Sequence, residues 1–264
     1  HKVMEKFLLS RGVALMVTDS GGELPAMLFL HGYLSSGDVF DDLTAKLKKE
    51  YRVITLDLPG AGISEVVGEV HTMEWMADVV AGVLEQCGVE RATVVGHSMG
   101  GYVALELLRA KPEMVEKLVL MQALPVADSD KKQAEREREL KVLAEGKKDI
   151  LAHLSPEHSF APQNRKRMAE EMEAMAERII LTEDEGAMAQ LRGLLARGDQ
   201  SDVLKGSSVP LCFIFGRHDE RVSPERAEEV AADYPNAEVL WLEESGHFGF
   251  LEEQDKVVEF LLAK

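Results

Sequence analysis

The chain has 264 residues, 45% of them hydrophobic, enough to bury a sizeable core in one domain with room for an inserted subdomain. Its formal net charge of −17 argues against nucleic acid and anionic membrane as partners and slightly disfavours highly anionic substrates. No stretch is apolar for long enough to span a membrane, and His1-Lys2-Val3-Met4-Glu5 does not read as a secretory signal, so a cytoplasmic protein without membrane insertion is expected.

Along the chain, apolar runs alternate with helix-like segments. Phe7 to Thr18 reads as a hairpin turning at Arg11-Gly12, and Ala26 to Leu30 as a buried strand leading into His31-Gly32-Tyr33. Tyr51 to Asp57 is a further strand, and a helix is expected near Met73 to Cys87. A strand over 92–96 runs into Gly96-His97-Ser98-Met99-Gly100, followed by a helix over 99–110 and a strand from Lys117 to Met121. The G-x-S-x-G run in a strand–turn–helix context presents a serine hydroxyl at the top of a sheet, beside the free N–H groups of a helix start. Cys87 and Cys212 read as reduced packing residues, and no cysteine and histidine spacing suggests a metal.

From Leu124 to Gly206 no clear strand is visible, and Glu, Lys, Arg, Ala and Met recur at helical spacing. Met168, Met172, Met175 and Ile179 share one helical face, which either packs on neighbouring helices or lines an apolar acyl pocket. Lys131 to Lys148 reads as a solvated, mixed-charge helix face. Pro156, between His153 and His158, is expected to break their helical register, which argues against a shared metal. The strand pattern returns at 210–215, then a helix from Pro224 to Tyr234, a strand at 237–242 and a terminal helix from about Glu252. Asp219 follows the first of these strands and His247 the second. A carboxylate at Asp219 would orient the imidazole, and His247 would take and return the serine proton. Glu220 and Asp128 are the alternative acids. Such alternation implies a mostly parallel sheet with helices on both faces, which gathers Ser98, Asp219 and His247 at one edge.

The serine–acid–histidine order, with Leu30-His31-Gly32-Tyr33 and Asp57-Leu58-Pro59-Gly60-Ala61-Gly62-Ile63-Ser64, resembles the α/β-hydrolase superfamily. The resemblance covers most of the chain outside the middle segment. It implies that the backbone N–H groups of Tyr33 and Met99 form an oxyanion hole, and that Asp57 and the glycines after it shape a turn beside the pocket. It also implies an α/β-hydrolase core at 1–123 and 207–264 with a helical cap at 124–206. His31, Gly32 and Phe248 join Met168, Met172 and Met175 as candidate pocket residues. Ala61 stands where many relatives carry a larger side chain, and Pro224 is shifted one place from the common pattern. Relatives with Asp as nucleophile cleave epoxides or carbon–halogen bonds, which Ser98 argues against. The expected function is a serine hydrolase of small to medium carboxylic esters acting through an acyl-enzyme without cofactor or metal. A thioesterase, lactonase or C–C bond hydrolase would use the same triad, and a cofactor-free perhydrolase or a small-molecule receptor stand further off. A monomer or homodimer is expected.

Overall fold

The computed structural model describes residues 4 to 263. Its frame is one eight-stranded sheet, β1 Met4–Ser10, β2 Val13–Asp19, β3 Ala26–Leu30, β4 Arg52–Leu56, β5 Ala92–His97, β6 Val115–Met121, β7 Leu211–Gly216 and β8 Glu238–Leu242. The spatial order is β1-β2-β4-β3-β5-β6-β7-β8. β1 pairs antiparallel with β2, β2 antiparallel with β4, and every later pair is parallel. The hairpin turns on Arg11 and Gly12, both at positive φ (51° and 79°), the backbone that a two-residue turn needs to match strand twist.

The parallel strands read as unbroken apolar runs because helices cover both faces. Along β3 the side chains divide by parity: Leu28 and Leu30 join one core with Val94, Leu118 and Phe213, while Met27 and Phe29 join the other with Val95, Val119 and Ile214. Helices α2 Met73–Gln86 and α3 Met99–Ala110 close the first face. The short α1 Asp41–Ala45 and α11 Gln254–Leu262 contribute Leu43, Val257 and Leu261 to the second. Thr72 caps α2 by accepting from the Trp75 N–H. Cys87 and Cys212 are buried and free.

Between β6 and β7 the described chain is helical: α4 Asp130–Ala144, α5 Lys148–Ser159, α6 Ala169–Leu181, α7 Asp184–Ala196 and α8 Ser201–Lys205. One expectation fails here. Pro156 lies inside α5 and does not interrupt it, so His153 and His158 belong to one helix. A proline in the last turn removes a single backbone bond, to the Ala152 carbonyl, which that turn tolerates near its end. Helices α9 Pro224–Ala232 and α10 Gly249–Glu252 complete the chain.

Candidate active site

Ser98 is the single residue between the end of β5 and the start of α3. Its backbone is held at φ 53°, ψ −121°, a region that costs a non-glycine residue of order 1–3 kcal/mol. The turn closes only because its neighbours lack side chains. A Cβ on Gly96 would come within 2.5 Å of the Gly100 carbonyl oxygen, and one on Gly100 would run into the Leu30 carbonyl. The Ser98 N–H donates to the Met121 carbonyl at 3.0 Å, which ties the turn to β6. Neither the Met99 N–H, first in α3, nor the Tyr33 N–H takes an acceptor among the described residues.

Asp219 follows β7 and is 5% exposed. Its Oδ1 accepts the Arg221 and Val222 N–H groups at 2.8 and 3.0 Å. Both carboxylate oxygens lie within reach of His247 Nδ1, at 3.2 and 3.0 Å. That contact makes Nδ1 the protonated nitrogen and leaves Nε2 able to accept a proton. The Ser98 hydroxyl and His247 line one cavity of about 140 Å³ but make no hydrogen bond to each other among the described residues. Ligand-free sites commonly close that bond only on substrate. Glu220 is at the surface beside His158. Asp128 is engaged by Arg136 at 2.8 Å and Arg197 at 3.6 Å, so neither alternative acid touches the imidazole.

The loop carrying His247 is fastened from three sides. The His247 N–H donates to the Ser159 carbonyl at the end of α5. The His247 carbonyl accepts from His97 Nε2 at 2.7 Å, which fixes that ring's tautomer. Burial, then the neighbouring His247, drives the His97 pKa well below its usual value, so the ring is neutral. The buried Glu252 carboxylate collects the N–H groups of Gly246, Phe248 and Ala161 and the Asn164 amide, joining the loop to the chain after α5. Neither His97 nor Glu252 stands out in the sequence, because each acts through loop contacts that no local pattern encodes.

The candidate pocket residues divide. Gly32, Met175 and Phe248 line the cavity with Ser98, Tyr33, Met99 and His247. His31 does not. It is fully buried, accepts the Leu58 N–H on Nε2 and donates from Nδ1 to the Gly32 carbonyl, so it shapes the Tyr33 loop from behind. Met168 and Met172 pack in the second core with Phe160 and Phe248 and are absent from the cavity wall. The reason is geometric: of this face only the turn at Met175 reaches the cavity, and Met168, at the helix start, and Met172 meet protein. Ala61 is fully buried and also off the wall. The solvated reading of Lys131 to Lys148 needs correction too. Lys132, Glu135, Arg136 and Glu139, one face of α4, line the cavity opposite Ser98, and Arg221 joins them. Among the described residues no group of three or more acidic, histidine or cysteine side chains is placed to hold a metal, and no helix is long and apolar enough to cross a membrane.

Residues 25–254 match the model of the alpha/beta hydrolase fold family. A pimeloyl-[acyl-carrier protein] methyl ester esterase of Xanthomonas campestris pv. campestris is 30% identical over 251 residues, covering 93% of this chain and 97% of the relative. The Aeromonas hydrophila protein of the same name is 29% identical over 91% of this chain and 95% of its own length. Among solved structures, a thermophilic esterase from Thermogutta terrifontis superposes with a TM-score of 0.90 at 26% identity, covering 98% of this chain and 96% of that one. An enol-lactonase from Burkholderia xenovorans LB400 shares the fold with a TM-score of 0.89 at 21% identity, over 97% and 98%.

Proposed function

This chain belongs to the α/β-hydrolase fold family and is an ester-cleaving hydrolase; we propose that it works through Ser98, His247 and Asp219. The observation that carries the assignment is the buried His247–Asp219 contact at the wall of the cavity into which the strained Ser98 turn opens. In this reading His247 Nε2 takes the Ser98 proton as Oγ attacks the ester carbonyl. The tetrahedral oxyanion sits on the Tyr33 and Met99 N–H groups. His247 then returns the proton to the departing alcohol, leaving an acyl group on Ser98. Water, activated by the same imidazole, releases the acid. Asp219 holds the ring in the working tautomer and stabilises the imidazolium. We assign residues 124–206 as a helical cap over the core at 1–123 and 207–264, because α4, α5 and α6 each send a side chain to the cavity wall: Lys132, Ser155 and Met175. The names of the esterase relatives favour a carboxylic ester over a thioester, lactone or C–C bond.

A fluorophosphonate probe tests the nucleophile. Labelling of the wild-type protein at Ser98, lost in Ser98→Ala together with p-nitrophenyl ester hydrolysis, is expected. Full esterase activity in Ser98→Ala, or labelling at another serine, would sink the assignment.

A further inference from the structure

Two cations line the cavity opposite Ser98 without a carboxylate in ion-pair contact. Lys132 reaches it from α4 and Arg221 from the loop that carries Asp219. Arg221 donates from Nε to the Ser159 hydroxyl at 3.1 Å and from Nη2 to the Ser155 hydroxyl at 2.8 Å and its carbonyl at 3.3 Å, all neutral acceptors. Its Nη1 and the Lys132 ammonium take no partner among the described residues. Arg136, the third cation of the wall, is different, since Asp128 neutralises it. Two carboxylates face the same space. Glu135 is exposed and, with Asp128, acts on Lys132 from a distance, while Glu139, then Asp219 and Glu220, oppose the downward pull of burial on Arg221, and none of these carboxylates forms an ion pair with either cation. Tyr33 adds a buried hydroxyl close to Glu139.

A cation taken from water and given only neutral acceptors is costly until an anion arrives. Burial lowers the pKa of both Lys132 and Arg221, the sign of that cost. The chemistry at Ser98 gives these cations no role. An anion delivered with the substrate removes that cost.

We propose that Lys132 and Arg221 form a subsite for an oxyanionic group, carboxylate or phosphate, at the end of the substrate remote from the scissile ester. The preferred substrates are then anionic esters, such as hemi-esters of dicarboxylic acids. This rests on the reading of Ser98 as nucleophile.

The test compares kcat/KM for three p-nitrophenyl esters of similar length at equal ionic strength. One is the adipate hemi-ester, one the 5-phosphonopentanoate and one the neutral hexanoate. The wild-type enzyme is expected to favour the better anionic ester by about tenfold or more, in line with a charge-assisted contact, and to show the difference in KM. The carboxylate and phosphonate arms say which oxyanion the subsite takes. In Lys132→Gln and Arg221→Gln the ratio of anionic to neutral rates is expected to fall toward one, and in Glu139→Gln to rise. Lys132→Gln and Glu139→Gln carry the test alone if Arg221→Gln does not fold, because Arg221 also lies in the Asp219 loop. A wild-type preference for the neutral ester, or a ratio unmoved in both Lys132→Gln and Glu139→Gln, overturns the proposal. Fluorophosphonate labelling run in parallel separates the two failures. A protein labelled at Ser98 that cleaves the hexanoate ester best loses the subsite only, whereas an unlabelled protein that cleaves none loses the nucleophile.

Discussion

Replacing Asp219 by Asn keeps the size of the side chain, and with the amide oxygen held by the Arg221 and Val222 N–H groups its NH2 donor faces His247 Nδ1 in place of Oδ2. The amide then stabilises the wrong tautomer, and kcat is expected to fall by about 10⁴ with the fold retained. Steady-state kinetics beside circular dichroism check this. Wild-type rates in Asp219→Asn, with the loss appearing instead in Asp128→Asn, would move the acid to the end of another strand. At this scale much of the candidate site was legible, since Ser98, Asp219 and His247 each stand just past an apolar run, and parallel pairing of those strands brings their ends to one sheet edge. The supporting residues were not. Glu252 binds three loop N–H groups, and His97 holds a carbonyl 150 positions along the chain, contacts set by tertiary packing. His31 sits in a motif beside the pocket yet points away from it, because both of its ring nitrogens are occupied by backbone.

Elements set the tolerances around these residues. Gly100→Ala places a methyl against the Leu30 carbonyl, where backbone and not a flexible side chain must yield. A loss of about 1–3 kcal/mol or more is expected, read as a lowered Tm together with reduced probe labelling, because the Ser98 turn shifts with it. Helix α6 separates two roles along one face. Met168→Ala, at the buried residue that starts α6 in the second core, is expected to lower stability by about 2–5 kcal/mol without altering the ranking of acyl chain lengths. Met175→Ala, on the cavity wall, is expected to shift kcat/KM toward longer acyl chains. Thermal melts and an acyl series distinguish them, and a flat series in Met175→Ala would remove its pocket role. The methionine periodicity identified the helix and its buried face, since both uses need the same spacing. It carried no information on which turn meets the cavity. Helix α4 shows the converse: its mixed charges read as a solvated face, and only the position of the helix over Ser98 turns Lys132, Arg136 and Glu139 inward.

Over the whole molecule, buried histidines set the response to acid. Burial lowers the pKa of His31, His71 and His97, so each binds its proton more weakly folded than unfolded. Their contribution is fully present above the unfolded value of about 6.5 and is lost as pH falls below it, at up to about 1.4 kcal/mol per pH unit for each. Urea unfolding is expected to show lower stability at pH 5.5 than at pH 7.5, and equal or greater stability at pH 5.5 would contradict the neutral state of these rings. The net charge of −17 bears on encounter with substrate through the field around the molecule, while the cavity wall acts at contact distance. A bulk charge and a local site can therefore favour opposite substrates. The central claim is that ester cleavage passes through an acyl group on Ser98. Mixing the enzyme with a slowly deacylating ester, quenching in acid and mapping peptides by mass spectrometry measures it directly. The expected result is one acyl mass added, on the peptide bearing Ser98, appearing and decaying at the rate of turnover. Turnover with no acyl-protein, or an acyl group on a different residue that turns over at that rate, would contradict it.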